Sequence, residues 1–199
     1  MRSPFLTCLS VGFAALLAAL STPSLASNQV THTFKPSKNS TLSPSRVVST
    51  RQSANRSVVA AAASEVTDRA FSMIGTPYRW GGTTPKKGFD CSGLINFVYR
   101  DMTGIKLPRS TRELIDMDVP LVSKDELQPG DLLFFNNRGR GRVSHAGIYI
   151  GDGQFIHSAS RRGGGVRVDS LDSSYWSLSY MEAKRVLEPG YKDALTSKR

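Results

Sequence analysis

The 199-residue chain has two cysteines. One of them, Cys8, lies in a segment that reads as an export signal, so the exported chain has no intramolecular disulfide and keeps a lone thiol at Cys91. No acidic residue precedes Glu65. No internal repeat is present, which excludes a solenoid. No dense basic stripe with interleaved aromatics is present either, which argues against nucleic-acid binding. After Gly81-Gly82 no Lys-Ser/Thr follows at phosphate-loop spacing, so that pair reads as a loop hinge. The longest apolar run, residues 11–20, is too short to span a bilayer as a mature helix.

Residues 1–26 have the pattern of a secretory signal peptide. Arg2 is their only charge, the apolar run follows, and Pro23 with Ser24-Leu25-Ala26 fits cleavage after Ala26. Cys8 precedes the apolar run, so it does not mark a lipid attachment site. A periplasmic or secreted protein is expected, with an uncleaved anchor as the alternative. Residues 27–63 carry Lys35, Lys38, Arg46, Arg51 and Arg56, and Phe34 is their only aromatic. Such a segment buries too little surface to offset its ordering entropy and reads as a disordered basic linker. It serves either as a solubilising spacer or as an attachment to an anionic surface.

The net charge of +10 falls mostly on this N-terminal part; from Glu65 onward 20 basic residues face 16 acidic ones. Residues 64–199 suffice for one domain with a core of its own. Ser64 can cap a helix carrying Val66, Ala70, Met73 and Ile74, ended by Gly75. Thr76-Pro77-Tyr78-Arg79-Trp80-Gly81-Gly82-Thr83-Thr84-Pro85 is too rich in Gly and Pro for regular structure. Asp90 can cap a second helix, carrying Leu94, Ile95, Val98 and Met102 and stopped by Gly104. Ser110 and Glu113 form a capping box for a short helix reaching about Met117. Strands are expected at 132–135, 143–150, 154–159, 166–168 and 183–187, separated by tight turns. Helices first and strands after imply an α+β fold, with N-terminal helices packed on an antiparallel sheet of about five or six strands.

Cys91 would sit in the first turn of its helix, where exposed amides and the helix dipole favour thiolate over thiol. Asp90 opposes that with its charge. His145 and His157 lie on the expected hairpin. A three-residue loop at Gly151-Asp152-Gly153 sets Gly147 opposite His157 and points both histidines to one face; a two-residue loop would break the relation. If the start of the Cys91 helix meets that face, a thiol, a base and a group that orients the base form a row suited to nucleophilic catalysis. The free backbone N–H of Cys91 would then receive the oxyanion.

These residues resemble the NlpC/P60 cysteine peptidases of bacterial cell walls, from about Ala70 to Leu187. The resemblance rests on Thr76-Pro77-Tyr78-Arg79-Trp80-Gly81-Gly82, Phe89-Asp90-Cys91-Ser92-Gly93-Leu94, Leu107-Pro108-Arg109-Ser110, Pro129-Gly130-Asp131-Leu132 and Ser144-His145-Ala146-Gly147-Ile148-Tyr149-Ile150-Gly151, with His157 following. It implies a papain-like core and a triad of Cys91 as nucleophile, His145 as base and His157 as orienting group. Tyr78 would lie beside the oxyanion hole, and Asp90 and Ser92 would line the substrate cleft. It also implies hydrolysis of stem-peptide bonds in peptidoglycan, the expected partner. Overall similarity is greatest to compact Gram-negative murein endopeptidases, which favours the D-alanyl–diaminopimelate cross-link over the γ-D-glutamyl–diaminopimelate bond. Many relatives have a glutamine near Arg112-Glu113-Leu114, where this chain has none, and no wall-targeting module is visible.

A monomer with no metal and no cofactor is expected. The alternatives are an amidase or acyltransferase using the same Cys-His-His site, a zinc module built on Cys91, His145 and His157, and a non-catalytic wall-binding module. Asp90 also reads simply as a cap, Tyr78 and Trp80 as core aromatics, and Arg109 as the partner of a surface carboxylate.

Overall fold

The computed structural model describes residues 44–136, 141–160 and 164–189, with side chains from residue 51 onward. The expected signal peptide, Tyr-free residues 27–43 of the expected linker, and parts of the two turns at 136–142 and 161–165 lie outside the described residues. Helix α1 spans Pro44–Phe71. It does not begin at Ser64, and residues 44–63, expected as linker, are helical. Residues 60–63 are four alanines, the strongest helix formers, and Pro44 fits the first position of a helix. Among residues 51–71 it is the C-terminal part that packs: Ala62, Val66 and Ala70 are buried, with Val59 and Ala63 beside them. Residues 51–58 are exposed.

The next segment contains a short antiparallel ribbon, β1 (Thr83–Thr84) with β2 (Gly88–Phe89), where only irregular structure was expected. Helix α2, Cys91–Thr103, starts at Asp90, whose side chain accepts from the Gly93 N–H, and ends at Gly104 in the left-handed conformation at φ 75°. Leu94, Ile95, Val98 and Tyr99 are buried along its inner face. Helix α3, Thr111–Ile115, carries the full Ser110–Glu113 capping box and ends before Met117.

Strands β3 (Leu121–Val122), β4 (Leu132–Phe135), β5 (His145–Gly151), β6 (Gln154–Ser158), β7 (Val166–Ser170) and β8 (Tyr180–Lys184) form one antiparallel sheet in the order β3-β8-β4-β5-β6-β7. Helix α4, Ser174–Ser179, and strand β3 were not expected from the sequence, and β8 begins three residues earlier than expected. Both faces of the sheet are covered. Leu132, Phe134, Ala146, Ile148 and Ile156 pack with α1 and α2, whereas Leu133, Phe135, Phe155 and Ala183 pack with Leu171 and Trp176 on the other side.

The β5–β6 hairpin turns on two residues, Asp152 and Gly153, because Gly151 pairs with Gln154. Both turn residues have positive φ, 50° and 67°, as such a tight Asp-Gly turn requires. A bulge between Tyr149 and Gly151 then compensates, so Tyr149 faces Phe155 and Ile148 faces Ile156. The register expected for the histidines survives with a shorter loop than the one that was to set it.

Candidate active site

Cys91 opens α2 and is half-buried. Its Sγ lies 3.5 Å from Thr111 Oγ1, and the backbone N–H groups of Ala146 and Ser92 point at it. Burial nevertheless pushes the thiol pKa up, and the Asp90 charge adds to this; the bonds from Thr111, Ala146 and Ser92 act the other way and are outweighed. The resting group is a thiol. The thiolate expected from the helix start is overridden by desolvation.

Asp90 is more than a cap. Its Oδ1 accepts from the Gly93 N–H at 2.7 Å and its Oδ2 from the Gly81 N–H at 2.9 Å. Arg109 grips both oxygens, Nη1 to Oδ1 at 3.1 Å and Nη2 to Oδ2 at 2.8 Å, and also donates to Ser92 Oγ at 2.8 Å. Arg109 therefore does not sit on a surface carboxylate. It clamps a carboxylate only 12% exposed, which itself ties the Gly81 loop to the start of α2. With its lone pairs engaged, Asp90 does not present a free carboxylate to the cleft.

His145 and His157 come together on β5 and β6. His145 Nε2 and His157 Nδ1 are 2.7 Å apart, with the ring planes at 89°. Their face is the one carrying Phe155 and Trp176, opposite the body of α2. The start of α2 meets the sheet where the Ala146 amide points at Cys91, one residue from His145. Burial lowers the pKa of both rings, so both are neutral near neutral pH; the neighbouring His157 lowers that of His145 further, while Asp169 partly opposes the shift.

Three residues that the sequence reading did not single out complete the row. Asp169 Oδ2 lies 2.9 Å from His157 Nε2 and accepts from Trp176 Nε1, also at 2.9 Å. Asp169 Oδ1 accepts from Arg167 Nε at 2.9 Å and from Arg167 Nη2. Trp176 stacks on the His145 ring with centroids 5.4 Å apart. The alternation Val166-Arg167-Val168-Asp169 was a usable signal, because it puts both polar residues on one face of the next strand.

A cleft of about 1110 Å³ collects Cys91, His145 and His157 with Tyr78, Asp90, Ser92, Arg109, Thr111, Asp169 and Trp176. Tyr78 is half-buried on its wall, held where its backbone bridges Phe89. Trp80 is 80% exposed at the rim and is no core aromatic. Among the described residues no group of three or more His, Cys, Asp or Glu is arranged to hold a metal ion. Among the same residues no helix is long and apolar enough to cross a membrane.

A sequence profile of the NlpC/P60 family matches residues 75–185. Murein DD-endopeptidase MepH of Escherichia coli strain K12 is 40% identical over 137 residues, which cover 68% of this chain and 50% of that protein. Murein DD-endopeptidase MepS/Murein LD-carboxypeptidase of the same strain is 43% identical over 124 residues, covering 62% of this chain and 63% of the relative. The chain thus spans half of the first of these relatives and less than two thirds of the second. A crystal structure of an NlpC/P60 family protein from Bacillus cereus superposes with a TM-score of 0.58 at 36% identity, covering 63% of this chain and 40% of that one.

Proposed function

The chain belongs to the NlpC/P60 family, and on that premise we propose that it is an exported cysteine endopeptidase that hydrolyses stem-peptide bonds in peptidoglycan. The observation that carries the reading is the 2.7 Å contact between His145 Nε2 and His157 Nδ1 at the end of the sheet where Cys91 sits. It leaves His145 Nδ1 as the ring nitrogen free to work on the thiol.

Thiol and imidazole both rest neutral, so the proton leaves Cys91 Sγ for His145 Nδ1 as the sulfur attacks the substrate carbonyl carbon. The carbonyl oxygen becomes an oxyanion and is received by the Cys91 backbone N–H, which has no acceptor within its helix, with the Tyr78 hydroxyl beside it. Collapse breaks the C–N bond, and His145 Nδ1–H protonates the leaving amine. A water molecule, deprotonated by His145, then attacks the thioester and returns Cys91 to the thiol. His157 holds the His145 ring throughout, and Ser92 and the Arg109–Asp90 clamp shape the cleft wall. The preferred bond is the D-alanyl–diaminopimelate cross-link, with the γ-D-glutamyl–diaminopimelate bond as second choice. Removal of residues 1–26 on export to the periplasm or beyond, a monomeric state and peptidoglycan as the partner complete the reading.

Digestion of a defined cross-linked muropeptide dimer, followed by mass spectrometry, tests it. Two monomers whose masses sum to that of the dimer plus one water are expected. Cleavage only within a monomer's stem would move the bond to the γ-D-glutamyl position. Transfer products without hydrolysis would make the site an acyltransferase. Binding without turnover would make the chain a wall-binding module.

A further inference from the structure

Building on the roles proposed for Cys91, His145 and His157, the geometry points to Asp169 as a positioning residue that sets the tautomer of both histidines and thereby makes His145 Nδ1 a base. A carboxylate only accepts hydrogen bonds. Burial of Asp169 works against its ionisation, but the bonds from Arg167, His157 and Trp176 outweigh it and hold the carboxyl ionised. His157 Nε2, 2.9 Å from Asp169 Oδ2, must therefore carry a proton. A neutral imidazole has one N–H, so His157 Nδ1 is a lone pair. His145 Nε2, 2.7 Å away, must then donate to it. That uses the one N–H of neutral His145 and leaves Nδ1 bare, ready to take the proton of Cys91. The opposite arrangement would set the His157 Nε2 lone pair against a carboxylate and put a proton on His145 Nδ1, where it blocks the chemistry.

The carboxylate is held against rotation on both sides. Arg167 occupies Oδ1, and Trp176 Nε1 shares Oδ2 with His157. Trp176 also stacks on His145, at 28° between planes, so one side chain orients both ends of the relay. An asparagine at 169 cannot reproduce this. With its oxygen toward His157 and Trp176, its NH2 meets the Arg167 guanidinium, donor against donor. Flipped, its NH2 donates to His157 Nε2 and selects the wrong tautomer.

The test is Asp169→Asn in the full chain, read in three ways: imidazole nitrogen NMR, iodoacetamide alkylation of Cys91 across pH, and kcat with KM on a cross-linked muropeptide. The wild type is expected to show His157 protonated at Nε2 and His145 protonated at Nε2. Asp169→Asn is expected to move His157 toward Nδ1–H, to slow alkylation near neutral pH, and to lower kcat on the order of 10²–10⁴-fold with little change in KM. Trp176→Phe keeps the carboxylate and should leave the tautomers in place, with a smaller loss in kcat. Wild-type His157 protonated at Nδ1 would overturn the proposal, and that measurement needs no variant to fold. Unchanged kcat in Asp169→Asn, or equal losses in both variants with unchanged tautomers, would also overturn it. NMR and alkylation use no substrate, so a wild type that fails to cleave peptidoglycan would remove the proposed function and leave the tautomer result standing.

Discussion

A β-carbon at Gly147 would fall 3.3 Å from the His157 β-carbon and 2.6 Å from the Phe155 ring. The glycine leaves the space in which Phe155 packs on His157, with ring centroids 5.0 Å apart. Gly147→Ala should force Phe155 and His157 to shift, destabilising the domain by about 1–3 kcal/mol. A calorimetric Tm several degrees lower, together with reduced kcat, is the expected result. An unchanged Tm would mean that the ring has room to move.

Cys91→Ala should abolish hydrolysis of muropeptides while the Tm stays at its wild-type value. The sulfur makes one weak side-chain contact, to Thr111, and no second thiol lies among the described residues. Digestion at the wild-type rate by a folded variant would end the nucleophile assignment.

His145 and His157 should not be equivalent. An amide at 157 can accept from His145 Nε2–H with its oxygen and donate to Asp169 with its nitrogen, so His157→Asn or His157→Gln should keep measurable activity. The same substitutions at 145 should abolish it, because an amide cannot shuttle a proton near neutral pH. Alkylation of Cys91 should follow the same ranking. The reverse order would exchange the two roles.

Acid should destabilise the fold in a defined window. Both histidines titrate below their ordinary value of about 6.5 in the folded chain. Below that value the unfolded chain binds protons that the folded chain refuses, so stability falls as pH falls. Each neutral histidine contributes a slope of up to about 1.4 kcal/mol per pH unit. Asp169, also lowered, changes its contribution only below the ordinary carboxylate range. Tm measured from pH 7.5 to 5 should drop, and His145→Gln should flatten that drop. A pH-independent Tm would show that the rings are protonated in place.

Truncation should separate the packed part of α1 from its exposed part. A chain starting at Ser57 should match the Tm of one starting at Arg51, since residues 51–58 are exposed. One starting at Val66 loses Val59, Ala62 and Ala63 from the core and should unfold at a lower temperature. Equal Tm values would show that α1 contributes no stability before Val66.

The caps at Asp90 and Ser110 were legible because they depend on residues three apart. The pairing of His145 with His157 was legible because side-chain parity along a strand needs only counting, and the bulge near Ile150 happened to restore what the two-residue turn would have broken. Asp169 was missed because the alternation Val166-Arg167-Val168-Asp169 gives its face but not which residues of β6 it stands against. Trp176 was missed because Ser173-Ser174-Tyr175-Trp176-Ser177 carries no apolar period. The early start of α1 was missed because a basic, polar composition argues against a core, while helix propensity and a docked C-terminal half were enough to extend the helix upstream. Arg109 was read as a surface residue because its partner lies nineteen positions away, beyond any periodic pattern.

The order of the strands has a consequence for when the chain can work. β8, the last strand among the described residues, inserts between β3 and β4, and Phe135 on β4 pairs with Tyr180. The same Phe135 packs edge-on against Trp176, the residue stacked on His145. Ribosomal synthesis delivers Cys91 about ninety residues before β8 can dock. A half-made chain therefore holds Cys91 beside a His145 ring that lacks the Trp176 wall, because the sheet closes between β3 and β4 only once β8 has been made.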